Sequence, residues 1–355
     1  MARVITPTYW EILDILPALL SVLGFALYSA ITGAFRGEAG ADTYQHHLIQ
    51  AVLTKATNRF SPLQLQYVSK SFRQIYVQYC NDKDVIPNFV TTQGGLSGFW
   101  LGSKDAKYVI INYHGGGFCF DATDEHLGLW ARIQEELSGQ GIETAWFFPM
   151  YTLTPHAAYP KQFQEAVEAL RYVIDEVGRS PSDIFLSGDS AGGNLCIAVL
   201  SHLSHPSADA YELKIAKSLK GVVLLSPWVS FDTDFPSVDR NVEKDIEDRG
   251  VLKKMADLYL NGHSTNPYIE PLIASGEWWK GVKLEKALIV AGSDEVHLDS
   301  IDIFVRRFTA SNLETTFVVA RNECHIAPIV WPAFGDLHET EQEKAIKAWM
   351  KSNLG

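Results

Sequence analysis

From about residue 105 the chain repeats one pattern, a short apolar run followed by a longer stretch with helical spacing. The runs are YVIINY (108–113), ETAWFFPM (143–150), DIFLS (183–187), GVVLLS (221–226), KALIVAG (286–292) and TTFVVA (315–320). They are nearly continuous in apolar, β-branched and aromatic residues, as strands buried on both faces must be, and strands joined through helices run parallel. Between them, KQFQEAVEALRYVIDEVG (161–178) sets Phe163, Val167, Leu170 and Ile174 on one helical face. The pattern predicts an α/β fold: a central, mostly parallel sheet flanked by helices.

Residues 1–95 lack this rhythm and read as mainly helical. Residues 96–355 carry the α/β domain, interrupted at about 229–282 by a segment rich in Asp, Asn, Pro, Tyr and Trp. Both irregular segments are expected to build a helical cap over the sheet. No internal repeat or low-complexity tract intervenes.

With 355 residues and 46% hydrophobic content, the chain has ample material for a large core. A net charge of -12 and the absence of any basic run exclude a nucleic-acid partner and leave small molecules. The 4 cysteines, Cys80, Cys119, Cys196 and Cys324, have no CxxC spacing, so neither a zinc site nor a dense disulfide framework is expected. No N-x-S/T sequon occurs, and both features lean towards a reducing, intracellular setting.

One segment leaves two readings open. Ile15 to Phe35 runs without a charge before Arg36, long enough to cross a bilayer as a helix. Pro17, Ser21, Gly24, Ser29 and Thr32 dilute its apolar character, as in a helix that covers an apolar pocket. The chain is accordingly expected to be cytoplasmic or membrane-associated through 15–35. Glu11 and Asp14 stand where a signal peptide would carry positive charge.

The densest chemical signal is GDSAGGN (188–194), directly after the DIFLS strand and directly before the helical LCIAVLSHL. A G-x-S-x-G sequence at a strand-to-helix junction forms a sharp turn that tolerates only small flanking residues, here Gly188 and Gly192, and lifts Ser190 out at the sheet's carboxyl end. The N–H of Ala191 opens the following helix, where negative charge is favoured. Upstream, HGGGF (114–118) follows the YVIINY strand, and its glycines let backbone N–H groups approach a reacting oxygen. Gly116 and Gly117, with Ala191, are the candidate oxyanion-hole donors, Gly115 less so. A phosphate loop would need a G-K-S/T sequence, which is absent.

Together HGGGF, YTLTPHAAYP (151–160), GDSAGGN and SPW (226–228) resemble the hormone-sensitive-lipase-like branch of the α/β-hydrolase superfamily, particularly its fungal esterase-like members. The resemblance covers roughly 100–350. It implies an α/β-hydrolase fold with a helical cap and hydrolysis of carboxylic esters, often of short acyl groups, with no metal or organic cofactor.

In such chains the acid and the base follow the serine in order. The family pattern, laid on KALIVAGSDEVHLDS (286–300), puts Glu295 at the acid position and Asp299 at the trailing one, where Asp is usual for the acid; Asp294 stays as the alternative. Of 11 histidines, His325 lies in the loop after the next strand, where the base is expected. His114 reads as a structural ring bracing the glycine loop, and His126, His156 and His297 as surface or cap residues. Cys119 and Cys324 adjoin the glycine loop and the base but read as small buried thiols.

The expected chemistry is ester cleavage through an acyl-enzyme, with Ser190 as nucleophile, His325 as base and Glu295 orienting it. Acyl transfer or thioester release in a biosynthetic pathway uses the same parts. A non-catalytic small-molecule receptor would use the same fold. The aromatic segment 259–279 and the N-terminal helix are expected to line the substrate pocket, with Trp278 and Trp279 either lining it or anchoring the cap.

Overall fold

The computed structural model describes residues 5–37, 40–310 and 312–355, so the first four positions of the N-terminal segment lie outside the described residues. Among the described residues eight strands form one sheet: β1 (Phe89–Thr91), β2 (Ser97–Leu101), β3 (Tyr108–Tyr113), β4 (Thr144–Pro149), β5 (Ile184–Asp189), β6 (Gly221–Leu225), β7 (Lys286–Gly292) and β8 (Glu314–Ala320). Their order across the sheet is β1-β2-β4-β3-β5-β6-β7-β8. From β4 to β8 every neighbouring pair is parallel, while β1 pairs antiparallel with β2 and β2 with β4.

The continuous apolar runs become a sheet buried on both faces because successive side chains point to opposite sides. Val109, Ile111, Phe147, Leu186, Val222 and Ile289 pack into one layer of the core. Their neighbours Ile110, Trp146, Phe148, Phe185, Val223 and Val290 pack into the other.

Twelve α-helices are present among the described residues: α1 (Tyr9–Thr32), α2 (Tyr44–Arg59), α3 (Pro62–Val68), α4 (Phe72–Asp82), α5 (Asp124–Gly139), α6 (Lys161–Arg171), α7 (Ala191–Ser204), α8 (Pro236–Asn241), α9 (Arg249–Leu260), α10 (Leu298–Thr309), α11 (Ala327–Val330) and α12 (Glu341–Leu354). Phe163 and Leu170 of α6, Leu195 of α7 and Phe304 of α10 cover the first face. Phe72 of α4, Trp130 of α5 and Ile346 of α12 cover the second. The sheet begins at β1, inside residues 1–95, where the sequence pattern suggested helices; Phe89–Thr91 is too short to show a strand period.

Helix α1 opens on a capping box in which the Thr8 side chain accepts from the Glu11 N–H and the Glu11 carboxylate accepts from the Thr8 N–H. It lies antiparallel along α2: Arg59, at the end of α2, donates to Asp14 at 2.7 Å, and Tyr44, at its start, donates to the Ala30 carbonyl at 2.5 Å. Gln64 adds a 2.7 Å bond to the Glu11 carbonyl. Ala18 and Ser29 are buried on this inner face, while Trp10, Leu16, Leu20, Leu23, Leu27 and Ile31 are exposed on the outer one.

Candidate active site

Ser190 stands between the end of β5 and the start of α7 with φ 50° and ψ -119°. This backbone conformation costs a non-glycine residue about 1–3 kcal/mol and persists only where its surroundings enforce it. Here the Ser190 N–H donates to Leu225 O at 3.0 Å, and its carbonyl accepts from Trp228 N–H at 3.0 Å and Asn194 N–H at 3.1 Å.

The glycines on either side are required by close approach. A Cβ on Gly192 would fall 1.9 Å from the Tyr113 carbonyl oxygen, and one on Gly188 would fall 2.5 Å from the Gly192 backbone. Because both collisions are with backbone, no rotamer relieves them. Gly192→Ala is expected to destabilise the fold by about 3 kcal/mol or more, read as a lowered urea midpoint.

Asp189, fully buried, accepts from Gly115 N–H at 3.0 Å, which locks the loop after β3 to the turn carrying Ser190. That bond consumes the Gly115 donor. Gly116 (φ 96°) and Gly117 (φ 57°) turn through left-handed conformations, and their N–H groups meet no acceptor among the described residues. Ala191 is the first residue of α7, where a backbone N–H has no partner within the helix. His114 braces this loop as expected: its ring stacks on Tyr151 at 4.4 Å and its Nδ1 lies 2.8 Å from Gly115 O.

His325 follows β8. Its main-chain N–H donates to Asp245 Oδ1 at 2.9 Å, and Asp245 Oδ2 accepts from Val296 N–H at 2.7 Å, so one buried carboxylate ties together the two loops that carry His325 and Glu295. Glu295 Oε2 lies 3.5 Å from His325 Nδ1. Its Oε1 accepts from Ser226 Oγ, from Gly292 N–H at 2.5 Å and from Gln342 at 3.4 Å. Asp294, the alternative acid, instead accepts from Ser293 Oγ at 3.1 Å. The trailing Asp299 accepts from Ser237 N–H at 2.8 Å and from Arg240 at 3.0 Å, tying α8 to α10.

The other ring nitrogen, His325 Nε2, is buried and makes no hydrogen bond, and Ser190 Oγ likewise has no partner among the described residues. Both residues line one cavity of about 210 Å³, together with Gly116 and with apolar side chains such as Leu53, Ile246, Met255 and Ile329. Glu247 Oε2 lies 3.8 Å from His325 Nε2 and 2.8 Å from His297 Nε2.

Three carboxylates therefore surround the imidazole. Burial alone would lower its pKa, but Glu247, Glu295 and Asp245 outweigh that and raise it to about 10. Burial pushes Asp245 up to about 6, with the His325 charge opposing. Glu247, which burial would also raise, is drawn below the usual carboxylate range by His325 and His297. The thiols are inert by the same physics: burial raises Cys119 to about 11 and Cys324 well above the ordinary value.

Several expectations are corrected. His126 and His297 are buried, not surface residues: the His126 ring lies 3.3 Å from Asp189 and lines the cavity, and His297 is held by Glu247. Of the N-terminal segment and the 229–282 segment, the parts that reach the cavity are α2 and 246–255, not α1 or 259–279; the rest of the lining comes from 116–126, Ser190 and 325–334. Trp278 instead stacks on His205 at 3.9 Å and donates to Ser201, and Trp279 packs edge-on against Phe308 at 5.1 Å, so both anchor their segment. Glu247, Asp245 and Gln342 escaped the sequence reading, because the EKDIEDRG stretch around the first two has the composition of a solvated loop.

A strained serine at a strand-to-helix turn, with an imidazole and a buried carboxylate delivered from later strands of a mostly parallel sheet, defines a class. The chain matches the model of the alpha/beta hydrolase fold family over residues 110–328, and it belongs to that family. Among curated relatives it is 26% identical over 216 residues to human arylacetamide deacetylase-like 2, covering 57% of this chain and 51% of that protein. It is 31% identical over 162 residues to the carboxylesterase NlhH of Mycobacterium tuberculosis, covering 45% and 47%. These matches span about half the length of either relative. Among solved structures, an esterase from the bacterial hormone-sensitive lipase family superposes with a TM-score of 0.68 at 23% identity, over 89% of this chain and 100% of that one, a likeness of fold.

Proposed function

We propose that this protein is a serine esterase that cleaves small carboxylic esters through an acyl-enzyme. The observation that carries the reading is the convergence of Ser190 and His325 on one apolar cavity, with Glu295 on the far side of the imidazole. The neutral form of His325, which its raised pKa makes the minor form near pH 7, takes the Ser190 Oγ proton at Nε2 as that oxygen attacks the ester carbonyl and moves into the place beside Nε2 that Glu247 holds at rest. Hydrogen bonds of this kind are commonly long before substrate binds. Glu295 sets the tautomer and stabilises the imidazolium. The N–H groups of Gly116, Gly117 and Ala191 hold the oxyanion, each worth about 3 kcal/mol in the transition state. Water then enters, His325 removes its proton, and the acid is released.

A cavity of about 210 Å³ favours short acyl groups. The names of the relatives, a carboxylesterase and a protein like an arylacetamide deacetylase, support ester or amide substrates. The test is labelling with a fluorophosphonate, with the modified peptide mapped, beside turnover of p-nitrophenyl esters of increasing chain length. Labelling at Ser190 and fastest turnover for acetate or butyrate are expected. A chain that binds esters yet resists the label would be a receptor, and one that turns over faster when an alcohol or thiol replaces water would be a transferase.

We propose as well that α1 seats the protein on a membrane surface. The helix has 24 residues, about 36 Å of rise, and an 18-residue window within it has a mean hydropathy of 1.9. Held by its side along α2, it presents one apolar face outward, the arrangement of a helix lying in the interface. Replacing Leu16, Leu20 and Leu23 with Glu is expected to reduce co-sedimentation with lipid vesicles about 100-fold while ester turnover persists. Unchanged vesicle binding would overturn the assignment.

A further inference from the structure

Glu247, His297 and His325 reach one point from three separate elements: the loop between α8 and α9, the residue before α10 and the loop after β8. Their donor atoms all lie within 4.8 Å of one another, and two of the separations are 2.8 and 3.8 Å. Two imidazoles and a carboxylate are the donor set of many zinc sites, and ligand distances near 2.1 Å put tetrahedral neighbours about 3.4 Å apart. The observed separations bracket that value. A second observation points to a ligand: His325 Nε2 is buried, 1% exposed as a residue, yet has no hydrogen-bond partner among the described residues. Glu247 and His325 also line the cavity, which gives an ion a way in.

We infer that Glu247, His297 and His325 form a binding site for a divalent cation of zinc type, and that an ion bound there inhibits the enzyme. The lone pair of His325 Nε2 that would take the Ser190 proton is the one the cation occupies. Any proton on a coordinating ring nitrogen leaves to solvent as the metal–nitrogen bond forms. The ion is an inhibitor rather than a cofactor, because the ester chemistry proposed above needs Nε2 free. Magnesium, which prefers oxygen ligands and keeps its waters, does not fit this set.

The inhibitory half rests on the esterase reading; the binding half does not, and the experiment separates them. Chelator-treated full-length Ser190→Ala protein is titrated with zinc chloride by calorimetry, with magnesium chloride as control. One zinc per chain and no magnesium are expected. Adding His297→Gln, whose amide can still donate to Glu247 but is a poor zinc ligand, is expected to weaken zinc binding about 100-fold. A matching thermal melt shows that this variant is folded. In the turnover assay, zinc is expected to silence the wild type reversibly with chelator, while His297→Gln keeps working at the same concentration. Absent zinc binding, or equal binding by folded His297→Gln, overturns the site. Binding without inhibition in an enzyme that turns over esters overturns the inhibitory role, whereas a chain with zinc bound and no turnover at all counts against the esterase reading alone.

Discussion

Ser190→Ala is expected to lower kcat for a short p-nitrophenyl ester by about a million-fold, the scale on which removal of a triad nucleophile acts. The variant should abolish the burst that marks acyl-enzyme formation, while the remaining amides and cavity keep weak binding. Stability should hardly change, because Ser190 Oγ makes no hydrogen bond among the described residues and the strained backbone is held by main-chain bonds to Leu225, Trp228 and Asn194. Burst kinetics and a thermal melt on the same preparation therefore separate chemistry from folding. A folded Ser190→Ala protein that still turns over within tenfold of the wild type (about 1.4 kcal/mol) would end the serine mechanism.

The second large effect is expected at Glu295. Glu295→Gln keeps the side chain's shape but replaces an acceptor-only group with one that presents donors. With the His325 tautomer no longer specified, kcat should fall about 10,000-fold. Asp294→Asn is the control within the same loop: its carboxylate faces Ser293, and the rate should stay near that of the wild type. Because Glu295 is fully buried and also accepts from Ser226 and Gly292, Glu295→Gln is compared by fluorophosphonate labelling rate on folded protein. If Asp294→Asn takes the larger loss, the acid has been assigned to the wrong residue.

Much of this was legible before any coordinates. The six apolar runs correspond to β3 through β8, because a strand buried on both faces leaves an uninterrupted local signature. The first two strands were not legible. Phe89–Thr91 spans only three residues, and Ser97–Leu101 includes a glycine, so neither presents a run long enough to declare itself. The antiparallel pairing of β2 with β4 depends on partners distant in the chain. Whether α1 crosses a bilayer or covers the pocket was likewise open in the sequence; in the structure it packs along α2 and contributes no residue to the cavity at Ser190.

The chain by itself determined the parallel sheet, the turn at Ser190, the glycine loop and the order of serine, acid and histidine, since each is a property of adjacent residues and of backbone that only glycine or a small residue permits. Only the tertiary structure decided that Glu295 and not Asp294 meets the imidazole, that Asp245 joins their two loops, and that Glu247 and His297 crowd the other nitrogen. Neighbours in a loop point in different directions, and which of them reaches a ring from another strand depends on where packing sets the strands.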